Sequence, residues 1–181
     1  MKNIRGIFIA LVVVYVITAF LNENFLGGYN QGKLLERTGL YGILSLGVAF
    51  VIITGGIDLS IGAVVCLVGC GVPWLVTRQG WSPESAVGMA FLVSFGIGLS
   101  HGLLITKLKL QPFVVTLCGL LIYRGAARGL TDDQSQGFGN DYTGFREWGT
   151  GEISMFGKFS VAYPFLILVV LAFVAWIFLR K

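Results

Sequence analysis

The stretch that most constrains this chain runs from Leu40 to Val76 and contains a single charged residue, Asp58. As one continuous helix it would rise roughly 55 Å at 1.5 Å per residue, whereas the hydrocarbon core of a bilayer is only about 30 Å thick. The stretch therefore predicts two membrane-spanning helices with a break between them. Gly55-Gly56 is the expected break, because paired glycines destabilise a helix and accept backbone angles that other residues avoid.

Asp58 lies two residues beyond the glycine pair, and an apolar helical pattern resumes at Leu59-Ser60-Ile61. This order predicts that Asp58 is the N-cap of the second helix, where its carboxylate would accept hydrogen bonds from free N–H groups at the positive end of the helix dipole. An acid inside a bilayer is also energetically expensive and often marks a functional site. The pattern leaves both roles open.

Composition supports a membrane location for these helices. The mean hydropathy is +0.82, and 12% of the residues are charged, whereas about a quarter are charged in soluble domains. The apolar runs are about 17 to 22 residues long, which is typical of spanning helices and too long for barrel strands. We therefore expect an all-α, polytopic helical bundle within a single transmembrane domain, 1–181. Its six predicted spans are 6–21, 38–54, 59–77, 86–106, 112–130 and 161–179.

The basic residues of this chain flank the apolar runs and form no patch, so the net charge of +4 does not indicate a nucleic-acid partner. Short flanks rich in Lys and Arg stay on the cytoplasmic side. We therefore expect both termini in the cytoplasm and the polar segment 131–160 outside it, as an extracytoplasmic loop. The basic flanks that set this orientation are Lys2, Arg5, Lys107, Lys109, Arg180 and Lys181.

Sequence motifs for enzymatic chemistry are absent from this chain. It has one histidine and no glycine-rich loop of the nucleotide-binding type. We therefore predict neither catalytic residues, nor a metal site, nor a cofactor. Any uphill transport would need energy from a partner protein or from an ion gradient.

Several further residues could be structural or functional. Ala90, Ser94, Gly98 and Gly102 recur every four residues, a ridge that favours close helix packing, with a part in a conduit as the alternative. His101 is expected to bond to a neighbouring helix or, alternatively, to relay protons.

Two arginines lie four residues apart near the end of the fifth span. Arg124 and Arg128 would reach toward lipid head groups or line an outer vestibule. The pair Arg128 and Asp132 has the spacing of a helix-end ion pair.

Three motifs resemble the permease subunits of bacterial ABC importers for monosaccharides, of the ribose, galactose and xylose type. The first is ITGGIDLSIGA, from Ile53 to Ala63, which is similar to that family's signature. The second is HGLLITKLKLQPFVVTL, 101–117, in which His101 stands where the family has asparagine and Gln111 where it usually has proline. The third is Tyr123-Arg124-Gly125. The resemblance covers nearly the whole chain.

The resemblance implies a multi-pass permease of the bacterial inner (plasma) membrane that carries a sugar and binds no nucleotide itself. Its implied partners are ABC ATP-binding subunits, a periplasmic or lipid-anchored sugar-binding protein, and a second permease copy or paralogue. Members of that family continue beyond a basic flank such as Arg180-Lys181 with a coupling loop and more spans. We therefore expect the N-terminal half of such a permease, completed by a separate chain, or an inactive truncated remnant.

A sugar path needs hydroxyl partners and aromatic walls. The residues expected to line it are Thr54, Ser60, Ser94, Phe113, Thr116 and Arg124. The signature and structural break consist of Gly55, Gly56, Asp58 and Gly62, with Asp58 holding the break and not touching the sugar. In the outer loop, Arg146, Glu147 and Trp148 are expected to meet the binding protein.

An alternative from another class stays open at this point. The chain could be an ion- or proton-coupled secondary transporter with Asp58 and His101 as its titrating pair.

Overall fold

A computed structural model of the chain describes residues 2–139, 142–156 and 159–180. The chain is mainly helical, with one two-stranded antiparallel sheet. In chain order its elements are α1 (Lys2–Leu21), α2 (Gly28–Ile53), α3 (Ile61–Thr77), α4 (Pro83–Thr106), α5 (Pro112–Thr131), α6 (Thr143–Thr150), β1 (Glu152–Phe156), β2 (Phe159–Ala162) and α7 (Tyr163–Leu179).

An apolar helix occupies each of the six predicted spans. Three helices, α2, α4 and α5, are long and apolar enough by length and composition to cross a membrane. The other three apolar stretches, Arg5–Leu21, Ile61–Thr77 and Tyr163–Leu179, are shorter; a helix of about 17 residues measures roughly 25 Å, at the lower limit for a span. The predicted all-α polytopic architecture is thus confirmed.

The chain divides into two compact units, Met1–Ile43 with Arg146–Lys181, and Leu44–Phe145. In the first unit the backbones of α2 and α7 approach closely at glycines. A side chain at Gly39 would collide with the backbone of Pro164 and Phe165, and one at Gly42 would collide with Leu168. Close backbone approach at small residues is the usual way for membrane helices to pack.

Helix α2 begins at Gly28, ten residues before the predicted start of its span at residue 38. The added residues include Lys33 and Glu36, whose side chains form an ion pair at 2.6 Å. Residues three apart lie on the same helix face, so the two charges stabilise the helix while it extends beyond its apolar part. Hydropathy predicted the apolar part alone and missed this extension.

The polar segment 131–160 contains regular structure that its composition did not predict. It includes α6 and most of the hairpin, in which Glu152 pairs with Ala162 and Ser154 with Ser160. The Ser160 hydroxyl also donates to the Glu152 carboxylate. Pairing satisfies backbone groups that an irregular segment would leave to water.

The second unit is built around α3, α4 and α5. Its core consists of Val72, Val76 and Ala86, and Phe138 and Tyr142 pack against it from the segment that follows α5. The Phe138 and Tyr142 rings meet edge to face at 6.2 Å. The segment after α5 therefore packs against one end of the unit, where α3 ends and α4 begins.

Candidate functional site

The predicted break after α2 is present and has a defined hydrogen-bond pattern. Gly55 adopts a φ of +76°, in the left-handed region that favours glycine. The Gly55 N–H donates to the Ile52 carbonyl at 2.9 Å, and the Gly56 N–H donates to the Val51 carbonyl at 3.0 Å. These two bonds form the Schellman motif that ends many helices. The glycine pair therefore terminates α2 as predicted, and Gly55 is the residue that requires glycine.

The prediction that Asp58 is the N-cap of the next helix is wrong. Helix α3 begins at Ile61, and its N-cap is Ser60. One Asp58 carboxylate oxygen instead accepts from the Ser60 N–H and from the Ser60 hydroxyl, both at 2.7 Å. Asp58 therefore closes a local Asx turn, which orients Ser60 and not the first turn of α3.

A buried threonine ties this break to α5. Thr116 is 3% exposed, and its hydroxyl lies 2.8 Å from the Pro112 carbonyl and 3.2 Å from the Ile57 carbonyl. Pro112 is the first residue of α5, as predicted from the missing N–H of proline. Through this shared hydroxyl, the extended chain between α2 and α3 is bound to the first turn of α5.

A polar cavity of about 510 Å³ opens beside the break, within the second unit. This volume lies in the range of about 300–1,000 Å³ that is typical of small-molecule sites. Its walls come from the end of α2, the break, the start of α3, the later part of α4 and the start of α5. The lining residues with polar side chains are Thr54, Asp58, Ser60, Ser94, His101, Thr106 and Thr116.

The cavity gathers four of the six predicted path residues, namely Thr54, Ser60, Ser94 and Thr116. Phe113 and Arg124 lie outside its lining, and Phe113 is 49% exposed. The expectation of a path lined by all six stays a prediction.

Three of the four signature residues, Gly55, Gly56 and Asp58, also line the cavity. Gly62 does not line it; it follows the start of α3 by one residue, and a side chain added there would meet nothing within 4 Å.

His101 forms a hydrogen bond to a neighbouring helix, as the structural interpretation of this residue predicts. Its Nε2 lies 2.9 Å from the Tyr123 hydroxyl on α5. Gly119 allows this contact, because a Cβ there would lie 2.7 Å from the same Nε2 atom. Sequence reasoning missed Gly119 and Tyr123 as partners, and only the register of α4 against α5 identifies them.

From Ser94 to Gly102 the small-residue ridge of α4 borders the cavity, whereas Ala90 packs against the core of the unit. Ser94, Gly98 and Gly102 all line the cavity, and a Cβ at Gly98 or Gly102 would meet nothing within 4 Å. Among the described residues no helix packs closely on this part of α4, and the interpretation of the ridge as a close helix contact stays a prediction there. The small side chains instead leave the volume of the cavity free.

Five of the seven polar side chains in the cavity lining carry a hydroxyl, and the remainder of the lining is aliphatic or glycine. Among the described residues, Asp58 is the single carboxylate of the lining, and no Lys or Arg contributes to it. Within the described residues, no group of three His, Cys, Asp or Glu side chains is placed to hold a metal ion. The arrangement suits a polar solute that exchanges hydrogen bonds with hydroxyls and carbonyls.

The ion pair at the far end of α5 differs from the predicted one. Arg128 pairs with Asp133 and not with Asp132, with Nε–Oδ1 at 2.5 Å and Nη2–Oδ2 at 3.2 Å. Asp132 ends the helix in a left-handed conformation with φ +50°, which places the next residue opposite Arg128. The hydrogen bond from Arg128 lowers the pKa of the Asp133 carboxyl.

Comparison with known proteins gives a consistent result. Residues 30–181 match the family described as branched-chain amino acid transport system / permease component. The chain is 33% identical to the ribose import permease protein RbsC of Bacillus subtilis over 97% of its own length and 53% of that protein. No solved structure gives a significant match.

Two relatives from Escherichia coli K12 are similar at the same level. The galactofuranose transporter permease protein YtfT is 32% identical over 96% of this chain and 51% of its own length. The xylose transport system permease protein XylH is 32% identical over 70% of this chain and 33% of its own length. The chain thus spans about half the length of the ribose and galactofuranose relatives.

Proposed function

The chain belongs to the permease-component family of the branched-chain amino acid transport type, and from this premise we propose that it is a transmembrane component of an ATP-driven, binding-protein-dependent sugar importer. The observation that carries this proposal is the cavity of about 510 Å³ beside the Gly55-Gly56 break. Its hydroxyl-rich lining suits a neutral polyol, and the relatives named above are permeases for ribose, galactofuranose and xylose.

In this proposal the cavity is part of the translocation path. Ser94 is half-buried in its wall, and Gly98 and Gly102 keep the adjacent face of α4 open. A sugar there would exchange hydrogen bonds with the Ser94 and Thr54 hydroxyls. Asp58 would hold the turn that places Ser60, because its carboxylate already accepts two hydrogen bonds from that residue.

The proposed orientation places both termini in the cytoplasm of a bacterial inner membrane. Its support is the basic pair Lys107 and Lys109, which follows α4 at the end of the unit that holds the polar cavity. The proposed partners are ABC ATP-binding subunits, which would bind the ATP, a sugar-binding protein, and a second permease chain. The segment 131–160 would then face the sugar-binding protein.

Reconstitution in proteoliposomes tests the proposal. The chain is combined with its cognate ATP-binding and sugar-binding proteins, with and without a chain that corresponds to the other half of the ribose relatives. We expect uptake of a labelled pentose or hexose that requires ATP. Ser94→Leu should reduce uptake at least about tenfold, because its side chain would fill the cavity that the sugar must cross.

The matched control is Ser100→Leu on the same helix. Ser100 is exposed, its hydroxyl donates to the Ile97 carbonyl at 2.8 Å, and it does not line the cavity. Equal loss of uptake in both variants, or uptake without ATP in the wild-type assembly, contradicts the proposal.

A proton-coupled transporter is the second candidate, because Asp58 and His101 line the same cavity. Uptake driven by an imposed pH gradient without ATP, and abolished by Asp58→Asn, would support this candidate. Uptake that requires ATP and is indifferent to an uncoupler would eliminate it.

A further inference from the structure

A second cavity in the same unit has the opposite chemistry. It is a cleft of about 350 Å³ between α3, α4 and α5, at the end of the unit at which α3 ends and α4 begins. None of the described residues that line it has an ionisable side chain. Residues that form its walls include Leu67, Gly71, Ala86, Val93, Ala126 and Leu130.

The cleft adjoins a polar pocket of about 340 Å³, and the two share Trp74 and Leu130 as lining residues. Arg78 and Asp132 line this pocket, together with neutral amide and hydroxyl side chains. Within the described ranges 2–139, 142–156 and 159–180, neither Arg78 nor Asp132 forms an ion pair. The pocket therefore carries one positive and one negative group, both available to a ligand.

The dimensions of the cleft limit what can fill it. From Leu67 to Trp74 the cleft follows α3 for about 10 Å, less than the roughly 15 Å depth of one bilayer leaflet. A volume of about 350 Å³ spread over about 10 Å gives a mean cross-section of about 35 Å². This cross-section is smaller than that of a whole helix, which is about 10 Å across, and it is wide enough for a hydrocarbon chain.

We propose that the cleft and the adjoining pocket bind one amino-phospholipid, with an acyl chain in the cleft, the phosphate against Arg78 and the ammonium group against Asp132. Charge complementarity selects this lipid class. A phosphate accepts charge-assisted hydrogen bonds from a guanidinium, and an ammonium donates them to a carboxylate. An anionic lipid without the amine would satisfy Arg78 but would place its headgroup beside an unpaired Asp132.

Quenching of Trp74 fluorescence provides the test, because Trp74 lines both cavities. The full chain carries Trp81→Phe, Trp148→Phe and Trp176→Phe, and is placed in nanodiscs with increasing fractions of bromine-labelled phosphatidylethanolamine or bromine-labelled phosphatidylglycerol. We expect phosphatidylethanolamine to reach half-maximal quenching of Trp74 at a lipid fraction about fivefold lower than the fraction of phosphatidylglycerol that is required. This difference corresponds to one charge contact near a membrane surface.

Three variants separate the parts of the proposed site. Arg78→Gln should weaken quenching by both lipids about fivefold. Asp132→Asn should remove the preference for phosphatidylethanolamine. Ala126→Leu should displace the chain of either lipid, and its exposed position on α5 makes the larger side chain compatible with folding. The matched control is Arg124→Gln, an exposed arginine of α5 that lines neither the cleft nor the adjoining pocket and should leave quenching by both lipids unchanged.

Three results would overturn the proposal. The first is equal quenching by the two lipids, and the second is an Arg78→Gln variant that behaves like Arg124→Gln. The third is a loss of quenching as the number of chains per nanodisc rises, because it would show that a second copy covers the cleft. Persistent preference for phosphatidylethanolamine in Asp132→Asn would overturn the assignment of the ammonium group.

Discussion

The polar cavity and the apolar cleft share three helices and differ in almost every other respect. The cavity involves the start of α3, the later part of α4 and the start of α5, whereas the cleft involves the opposite end of each. Along α4 the change occurs between Val93, which lines the cleft, and Ser94, which lines the cavity. The three shared helices thus carry different side chains at their two ends, and the end of α2 and the break add polar groups to the cavity alone.

The ridge of small residues on α4 serves both sites. Ala90 lines the cleft, while Ser94, Gly98 and Gly102 line the cavity. Small side chains therefore leave volume at both ends of the unit, while the core of Val72, Val76 and Ala86 and the close contacts of Gly119 and Thr116 hold its helices together. Between α4 and α5, the open position Gly98 is distinct from Gly119, where the two helices meet closely.

Gly119→Val tests the contact between α4 and α5 most severely. Its branched side chain would collide with His101 and Tyr123 and separate their hydrogen-bonded groups. We expect a loss of about 3 kcal/mol in the free energy of unfolding, the upper range for overpacking a tight site, measured by denaturant titration in detergent.

The control is Gly98→Val on the facing helix, where a Cβ meets nothing within 4 Å. It should change stability by less than about 1 kcal/mol yet reduce transport, because Gly98 lines the cavity. Equal destabilisation by the two valines would contradict the separation of roles.

Thr116→Val tests how the polar end of the unit is held to the break. The change preserves the shape of the side chain but removes the hydroxyl shared by the Pro112 and Ile57 carbonyls. Losing the hydrogen bonds of this buried hydroxyl should cost about 0.5–1.5 kcal/mol, and hydrogen exchange should increase around Ile57.

The matched variant is Thr106→Val, whose hydroxyl donates at 2.6 Å to the Gly102 carbonyl of its own helix and is exposed. A loss in Thr106→Val as large as that in Thr116→Val would show that the link to the break contributes nothing specific.

The ion pair of Arg128 and Asp133 should give a small effect at the apolar end. Because Arg128 lowers the pKa of Asp133, the pair stabilises the fold above the usual carboxyl pKa of about 3.9. That stabilisation is lost as the pH falls through the lower pKa of the folded state. Exposure of both groups keeps it small.

Asp133→Asn should remove this loss of stability at acid pH from a curve of unfolding free energy against pH, whereas Asp132→Asn should leave the loss unchanged. Unchanged curves for Asp133→Asn would show that solvent screens the pair completely.

The break after α2 shows how much of the structure the local sequence can predict. Two consecutive glycines inside an apolar run too long for one span predicted where α2 ends, and Gly55 adopts the conformation that this requires. The capping role assigned to Asp58 was wrong, because its carboxylate is used by Ser60, two residues on. Spacing alone does not distinguish a cap from an Asx turn, since both use the same residue types.

Helix boundaries outside the apolar runs were harder to predict. Helix α2 begins well before its apolar part, and the polar segment after α5 contains α6 and the hairpin. Both depend on polar pairing, by Lys33 with Glu36 and by Glu152 with Ser160. Hydropathy does not register such pairing, because it averages over a window of residues and takes no account of which side chains are in contact.

From its residues alone the chain could be recognised as a polytopic helical protein of the sugar-permease type, because long apolar runs, basic flanks and the ITGGIDLSIG stretch are local properties. The tertiary structure was needed to show that Thr54, Ser60, Ser94 and Thr116 share one cavity while Phe113 and Arg124 lie outside it. It was also needed to show that the α4 ridge borders open volume. These properties depend on how helices distant in sequence are rotated and aligned against each other, and that alignment is set by packing between helices, not by the pattern within any one of them.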